Sequence, residues 1–341
     1  MRNARRSAFA ALCILSTASV QAADQALIDA AKKDGEAIWY TTQIIDQFAK
    51  PAADAFQKKY GVKVTPVRAD NAQISFRVLN EGAAGKLQVD VIDGTAASTA
   101  LQKAGFIMKW QPDTATRLAK EYRDPNGYWT ATNLFIMTPG YNTNLIKKGA
   151  EPRTFEDLLD PKWKGKMAWS GPSSTYQTAN FVGLVLAEMG EQKGRAYLQQ
   201  LGKQAITEVA GSARQVLDLT MAGEYPLSLM IFNHHTIISA AQGAPTAWIP
   251  MQPALATLSV ISVTQGGPHP NAGKLFVDYL LSTEGQQQFR TAGYIPVDPD
   301  VPPQNPELRP DGKNFRAIFM NPEELQDNLA YWKKTYDEYF R

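Results

Sequence analysis

Beyond the first two dozen residues, apolar runs of strand length alternate with amphipathic stretches of helical length. Residues 37–40 are a compact apolar run typical of a buried strand, and residues 48–60 carry an apolar stripe at helical spacing that ends at Gly61. The same patterns predict helices at 26–33, 72–84 and 95–101 and strands at 62–67 and 89–92. Strands separated by helices of this length favour a mainly parallel, doubly wound sheet.

This alternation stops at residues 128–141, which are strand-like and have no helical period. It resumes with strands predicted at 167–169, 205–209, 227–231 and 246–249 and helices at 175–189, 191–202, 212–222 and 235–242. Residues 255–264 form a second long β-rich run. The chain is therefore predicted to be an α/β protein of two doubly wound lobes joined by a two-strand hinge, with a ligand cleft between the lobes.

The two long runs also divide the chain. We predict that residues 23–133 and 256–310 form the first lobe, and that residues 134–255 and 311–341 form the second. Residues 322–339 carry an apolar stripe at helical spacing, which indicates a helix packed on a lobe. A length of 341 residues suits about two domains that each bury a core.

Ligands of doubly wound sheets lie beyond the carboxyl ends of the strands. That rule selects residues 40–43, the loop 70–75 and residues 93–98, which are polar or small. For each residue alone an ordinary turn or cap is the favoured interpretation, whereas together they indicate a binding crevice. The candidates carried forward from this set are Tyr40, Thr41, Thr42, Gln43 and Thr95.

A second candidate lies where the predicted strand 167–169 leads into a helix. Pro172 ends the strand, and hydroxyl side chains follow at the helix start. A helix N-terminus has unpaired backbone N–H groups and the positive end of the helix dipole, which suit a small anion. The alternative is that one hydroxyl is simply the N-cap. The candidate anion ligands are Ser170, Ser173, Ser174 and Thr175.

The N-terminus has the pattern of a cleaved secretory signal. Three arginines precede an apolar segment at 9–20, and a small-residue cleavage site follows, so residues 1–22 are predicted to be removed. Their loss turns 35 basic against 33 acidic residues into 32 against 33, so nucleic acid is not an expected partner. Cys13 leaves with the segment, which excludes disulfides and thiolate chemistry from the mature chain.

Two segments resemble a known family. Residues 155–166, FEDLLDPKWKGK, and residues 270–286, PNAGKLFVDYLLSTEGQ, are similar to segments of bacterial family 1 extracellular solute-binding proteins, the ligand-capturing subunits of ABC importers. The order of lobes and crossings is also similar, and the branch most alike contains ferric-ion, phosphonate, sugar-phosphate, polyamine and thiamine binders. The resemblance implies a type II periplasmic-binding-protein fold with its ligand site in the hinge cleft.

Ferric-ion members of that branch hold iron with two adjacent tyrosines after an Asn, a Glu, often a His, and an anion at a Ser-rich helix N-terminus. In this chain the Asn corresponds to Asn233, and the tyrosine positions hold His234 and His235. The Glu corresponds to Glu81, and the anion region corresponds to residues 170–175. The metal alternative is therefore a site of Glu81, His234 and His235.

The departures from that pattern favour an organic anion. Fe³⁺ prefers anionic oxygen ligands such as tyrosinate, whereas imidazoles suit softer divalent ions. The first-lobe His position is Ile44, and Arg214 falls where the branch often places a cleft-facing basic residue. A protonated imidazole, this arginine and the hydroxyl-lined helix end suit a phosphoryl, phosphonate or carboxylate group. With histidine pKa values near ~6.5, binding would strengthen at mildly acidic pH.

Other roles stay open for these residues. The histidine pair can line a helix start without touching ligand, Glu81 can lie on a solvated helix face, and Arg214 can form a surface ion pair. His269 is expected at the surface, in a Gly-Gly-Pro-His-Pro turn.

We expect a periplasmic, monomeric ABC-importer subunit that binds a small anionic solute and delivers it to a membrane permease. The alternatives are a ferric or divalent metal binder with a synergistic anion and, more remotely, an exported hydrolase on the same fold. The sequence lacks G-x-S-x-G, Walker, G-x-G-x-x-G and H-E-x-x-H motifs, so catalysis and a cofactor are not expected.

Overall fold

The structure, a computed structural model, describes residues 24–171, 176–310 and 313–341. Its helices are α1 (Gln25–Asp34), α2 (Lys50–Tyr60), α3 (Asn71–Ala83), α4 (Thr95–Lys103), α5 (Gln177–Met189), α6 (Glu191–Leu201), α7 (Ala213–Ala222), α8 (Asn233–Ala241), α9 (Pro270–Leu281), α10 (Thr283–Thr291) and α11 (Pro322–Phe340). Its strands are β1 (Glu36–Thr41), β2 (Lys63–Arg68), β3 (Val91–Asp93), β4 (Thr130–Asn142), β5 (Met167–Ser170), β6 (Thr207–Val209), β7 (Leu227–Phe232), β8 (Thr246–Trp248), β9 (Ala254–Val263), β10 (Ile295–Pro296) and β11 (Ala317–Phe319).

The strands of the described residues form one curled, mixed sheet in the order β2-β1-β3-β9-β4-β7-β5-β6. Strands β8 and β10 pair with β4, and β11 pairs with β9. Pairing is parallel within β2-β1-β3 and within β7-β5-β6, as the alternation of strands and helices predicts. The α/β prediction is confirmed, and the two long β-rich runs are the central strands β4 and β9.

Strands β4 and β9 run antiparallel through the middle of the molecule and fix the geometry of the cleft. Asp93 at the end of β3 pairs with Ile261 of β9, whereas Phe232 at the end of β7 pairs with Met137 of β4, which pairs with Leu255. Ile261 and Leu255 are six residues apart on β9, so the ends of β3 and β7 are about 20 Å apart along this strand. The carboxyl ends of β3 and β7 therefore point towards each other across this gap.

Two main hydrophobic clusters lie on either side of the central strands. The first surrounds Trp39, Phe56 and Phe276, and the second surrounds Trp169 and Tyr336. Helix α11 contributes Trp332 and Tyr336 to the second cluster, so the prediction that this helix packs on a lobe is confirmed. The exact division into 23–133 with 256–310 and 134–255 with 311–341 stays a prediction.

Two local features differ from the sequence-based expectations. Helix α8 begins at Asn233 rather than at residue 235, so both histidines lie in its first turn. His269, expected at the surface, is only partly exposed, with 23% of its side chain accessible. Its backbone N–H and Nδ1 lie 2.6 and 3.1 Å from the carboxylate oxygens of fully buried Asp90.

Candidate functional site

At the carboxyl edge of the first lobe, hydrogen bonds to one buried carboxylate join the end of β1 to the end of β3. Asp93 accepts the hydroxyl of Thr41 and, at 2.8 and 2.6 Å, the backbone N–H and hydroxyl of Thr42. Gln43 donates its side-chain amide to Ser259 Oγ at 3.1 Å. Burial raises the pKa of Asp93 to about 6, while the hydrogen bonds from the threonines oppose the increase. These predicted residues lie at the expected edge. The hydroxyls of Thr41 and Thr42 and the side-chain amide of Gln43 are bonded within the fold.

Thr95 is held in the same way, because its hydroxyl donates to the carbonyl of Leu258 on β9. Gly94, just before it, has a φ of 110°. A Cβ at Gly94 would lie 2.5 Å from Asn71 Oδ1 and 2.9 Å from Thr42 Cγ2. The positive φ and the lack of room for a Cβ both require glycine at position 94. Gly94 therefore allows the tight connection between β3 and α4.

The side chains of Tyr40 and Glu81 are joined by a hydrogen bond. The Tyr40 hydroxyl donates to Glu81 Oε1 at 2.7 Å, and Arg77 Nε donates to the same oxygen at 2.9 Å. The Arg77 guanidinium also lies over the Tyr40 ring, 4.3 Å from its centroid. Burial and the Glu81 carboxylate raise the pKa of Tyr40 above its ordinary value.

The metal alternative of Glu81, His234 and His235 is not assembled in this structure. Among residues 24–171, 176–310 and 313–341, no three or more His, Cys, Asp or Glu residues form a group that could hold a metal ion. The carboxylate of Glu81 is held by Tyr40, by Arg77 and, at 2.9 Å, by the backbone N–H of Gln88.

In the second lobe, Ser170 ends β5 and is almost fully buried. Its hydroxyl donates to the carbonyl of Gly211, which ties the end of β5 to the segment before α7. Ser173, Ser174 and Thr175 lie outside the described residues. The proposed anion contacts of all four residues stay predictions.

No side chain in the described chain caps the start of α8, and the same holds for α4 at the first-lobe edge. Helices α3 and α7 begin with capping boxes from Asp70 and Ser212. At α8, Asn233 donates its amide to the carbonyl of Leu308 at 2.9 Å, while its side-chain oxygen is buried without a hydrogen-bond partner among the described residues. The first-turn N–H groups of α8 therefore have no capping side chain among the described residues.

Both histidines of that turn carry unpaired ring nitrogens. His234 is 1% exposed, and neither of its ring nitrogens has a partner in the described part of the chain. Nδ1 of His235 is likewise buried and unpaired there. Buried polar groups without partners are uncommon in proteins, and such a group calls for an explanation such as a ligand.

Aromatic rings surround the histidine pair. We call Phe135, Phe232, His234, His235 and Tyr294 the ring cluster. Ring centroids are 4.5 Å apart for the two histidines, 5.0 Å for His234 and Tyr294, and 5.8 Å for His234 and Phe135, which are almost parallel at 16°. Phe135 lies on β4 opposite Thr257, between the two carboxyl edges. The ring cluster therefore occupies the gap between the lobes.

The surroundings of the two histidines favour their neutral forms. Burial lowers the pKa of His234 well below its ordinary range, with a further contribution from His235. Burial and the positive charges of Arg214 and Arg68 lower the pKa of His235 to about 3. Both pKa directions run against the expectation that a protonated imidazole strengthens anion binding at mildly acidic pH, because desolvation disfavours the charged ring.

Two arginines, one from each predicted lobe, act electrostatically on His235. Arg214, in the first turn of α7, donates Nε to Asp218 at 2.8 Å and keeps 38% of its side chain exposed. This is the ion pair that the sequence left open, yet the charge of Arg214 still reaches His235. Arg68, at the carboxyl end of β2, is exposed and forms no ion pair among the described residues.

Sequence reasoning missed Arg68, Phe135, Phe232 and Tyr294 as site residues. Arg68 could have been found, since it ends a parallel strand at the edge that the strand-end rule selects. The three aromatic residues give no comparable pattern, because long-range pairing of β4, β7 and β10 brings them together.

Comparison with known proteins agrees with this architecture. The chain belongs to a family of bacterial extracellular solute-binding proteins, whose family model matches residues 89–318. It is 23% identical over 270 residues to the Fe(3+)-binding periplasmic protein of Serratia marcescens, covering 77% of this chain and 78% of the relative. It is 25% identical over 322 residues to a putative 2-aminoethylphosphonate-binding periplasmic protein of Salmonella typhimurium, covering 89% and 84%.

Solved structures share the fold. The periplasmic binding protein AfuA from Actinobacillus pleuropneumoniae, with exogenous fructose-6-phosphate bound, superposes with a TM-score of 0.76 at 21% identity, covering 90% of this chain and 98% of AfuA. Iron-bound HitA from Pseudomonas aeruginosa gives 0.72 at 21% identity, covering 88% and 99%. The type II bilobal fold is thus confirmed.

The relatives are substrate-binding transport proteins, and family members work with the permeases of ABC transporters. Over the described residues, no helix combines the length and apolar character needed to cross a membrane.

Proposed function

We propose that this chain is the substrate-binding subunit of an ABC importer, and that it captures a small organic anion between Arg68 and Arg214 at the start of α8. The observation that carries the proposal is the uncapped first turn of α8, where Asn233, His234 and His235 hold buried polar atoms without partners in the described chain.

The charges fit an anion better than a cation. Arg68 and Arg214 both act electrostatically on His235, and the first-turn N–H groups of α8 add the positive end of its dipole. Guanidinium groups match the geometry of carboxylate and phosphoryl oxygens through paired hydrogen bonds. A neutral imidazole offers one N–H donor and one acceptor, so the histidines supply directed hydrogen bonds rather than charge.

The neutral histidine pair is a specific argument for metal binding, since unprotonated imidazole is the form that binds divalent metals. The missing third protein ligand in the described chain and the two nearby arginines speak against it. An anion brought with the metal would have to supply the remaining ligands. We therefore keep the metal ion, with its accompanying anion, as the second candidate.

The remaining parts of the proposal follow the family. Residues 1–22 act as a cleaved secretory signal, the mature protein works in the periplasm without catalysis, and a membrane permease receives the solute. The lobes divide at 133/134 and 255/256, and they close on the ligand about β4 and β9.

Mass spectrometry of small molecules released from the denatured native protein, together with metal analysis of the same sample, tests the proposal. We expect one organic anion per chain and substoichiometric metal. Stoichiometric metal without an organic compound would refute the anion and support the second candidate.

A further inference from the structure

The polar side chains of the first-lobe edge leave little for a polyhydroxylated ligand to bind. Thr41 and Thr42 donate to Asp93, Thr95 donates to Leu258, and Gln43 donates to Ser259. A sugar-like solute needs many hydrogen-bond partners, and displacing these internal bonds would leave buried groups unpaired.

The gap between the two lobes is lined instead by aromatic side chains. Phe135 and Phe232 are only partly buried, their centroids are 4.8 Å apart, and both rings lie beside His234. Tyr294 from the first lobe contacts both His234 and Phe135, at 5.0 and 6.4 Å. Residues from both lobes and from the central strand thus converge on one aromatic wall. Arg68 ends β2 at the first-lobe edge and Arg214 lies in the first turn of α7. Both arginines act electrostatically on His235 of this wall.

We infer that the ligand is a small aromatic anion, whose flat ring lies against the ring cluster while its carboxylate or phosphoryl group lies between Arg68 and Arg214. This inference rests on the proposed function and narrows it. Aromatic rings attract each other edge-to-face and in offset stacks beyond what their buried area contributes, so a flat unsaturated ring gains more here than a saturated ring of equal size.

Two pairs of probes separate stacking from simple burial of apolar surface. Benzoate is matched with cyclohexanecarboxylate, and phenylphosphonate with cyclohexylphosphonate, at a pH of about 9 where both members of each pair have the same charge. The saturated ring is the more hydrophobic member, so an apolar pocket without aromatic geometry would prefer it. Isothermal titration into ligand-free protein should show about fivefold tighter binding of the aromatic member in at least one pair.

Two variants locate the effect. Phe135→Leu keeps apolar volume and removes one ring of the wall, so the aromatic preference should fall to within about twofold. Phe76→Leu is the matched control, because Phe76 is 70% exposed on α3, and it should keep the preference. If Phe135→Leu does not fold, Phe232→Leu takes its place.

Equal binding of both pair members, or a preference for the saturated ring, would overturn the aromatic inference while leaving the anion site intact. An unchanged preference in folded Phe135→Leu and Phe232→Leu would also overturn it. Absence of binding by all four probes would refute it too. The mass spectrometry above still tests the anion site separately, since it identifies a non-aromatic anion as readily as an aromatic one.

Discussion

Two groups of polar residues that face each other across the gap differ in their hydrogen-bond partners. At the first-lobe edge, the hydroxyls of Thr41, Thr42 and Thr95 are bonded within the fold. At the second-lobe edge, the start of α8 carries buried nitrogen and oxygen atoms of Asn233 and His234 without partners in the described chain.

This difference separates residues that hold the cleft in shape from residues available to a ligand. A polar residue at a strand end satisfies the strand-end rule in both cases, so position alone does not distinguish the two roles. The hydrogen-bond partner does distinguish them. The bonded threonines of the first edge should therefore respond to mutation chiefly through stability, and the start of α8 chiefly through binding.

The largest stability effect is expected from Asp93→Ala, which leaves the donors of Thr41 and Thr42 without their shared acceptor. We expect the free energy of unfolding to fall by about 3 kcal/mol in urea denaturation. The control is Asp46→Ala, which removes an exposed carboxylate and should change stability by less than about 0.5 kcal/mol. Equal effects of the two changes would show that the first edge is not held by Asp93.

The pH dependence of the first edge follows from the raised pKa of Asp93. Its folded pKa of about 6 exceeds the unfolded value of 3.8, so the native state binds the extra proton between these values. Stability from this group is thus present at low pH and lost as pH rises through about 6. From pH 7.5 to 4.5, wild type should gain about 2 kcal/mol relative to Asp93→Asn. A constant difference between the two proteins would contradict the raised pKa.

The second edge should respond to acid with the opposite sign. The pKa values of His234 and His235 are lowered in the folded state, so the unfolded chain binds more protons below about pH 6.5. Stability from the neutral pair is present above that pH and is lost on acidification. Between pH 7.5 and 5, wild type should lose more than about 1 kcal/mol relative to His234→Gln/His235→Gln. A greater acid loss in the variant would show that the histidines are protonated in the fold.

The smallest effect is expected from Thr95→Val, which removes a single hydroxyl bonded to the carbonyl of Leu258. Thermal or urea unfolding should show a loss of about 1 kcal/mol, and the ligand dissociation constant should stay within about twofold. Thr116→Val removes a hydroxyl that donates to Asp113 on the exposed surface, and it should cost less. A tenfold loss of affinity in Thr95→Val would place its hydroxyl on the ligand and weaken the contrast between the edges.

Local patterns predicted most of the fold. The spacing of apolar residues and the glycines after helices, such as Gly61, located the helices and strands to within a few residues. The two long β-rich runs gave the hinge architecture, because a strand that serves both lobes must continue beyond the usual strand length. These features are encoded by neighbouring residues and need no tertiary information.

The site was less predictable because its chemistry depends on distant contacts. Thr41 bonds to Asp93, which is 52 positions away along the chain, and Asn233 bonds to Leu308, which is 75 positions away. The histidine pair was located by family resemblance, but its charge state depends on burial among rings from β4 and from the segment before β10. The sequence supplied an ordinary histidine pKa, and desolvation in the fold changed it.

The central claim is that arginines from both lobes hold one anion. Its most direct test is isothermal titration of the anion released from native protein into wild type, Arg68→Ala, Arg214→Ala and Lys58→Ala, the last being an exposed charge-matched control. We expect each arginine variant to bind about tenfold more weakly or worse, and Lys58→Ala to bind within about twofold of wild type. Wild-type affinity in either arginine variant would contradict the claim that both lobes grip the ligand.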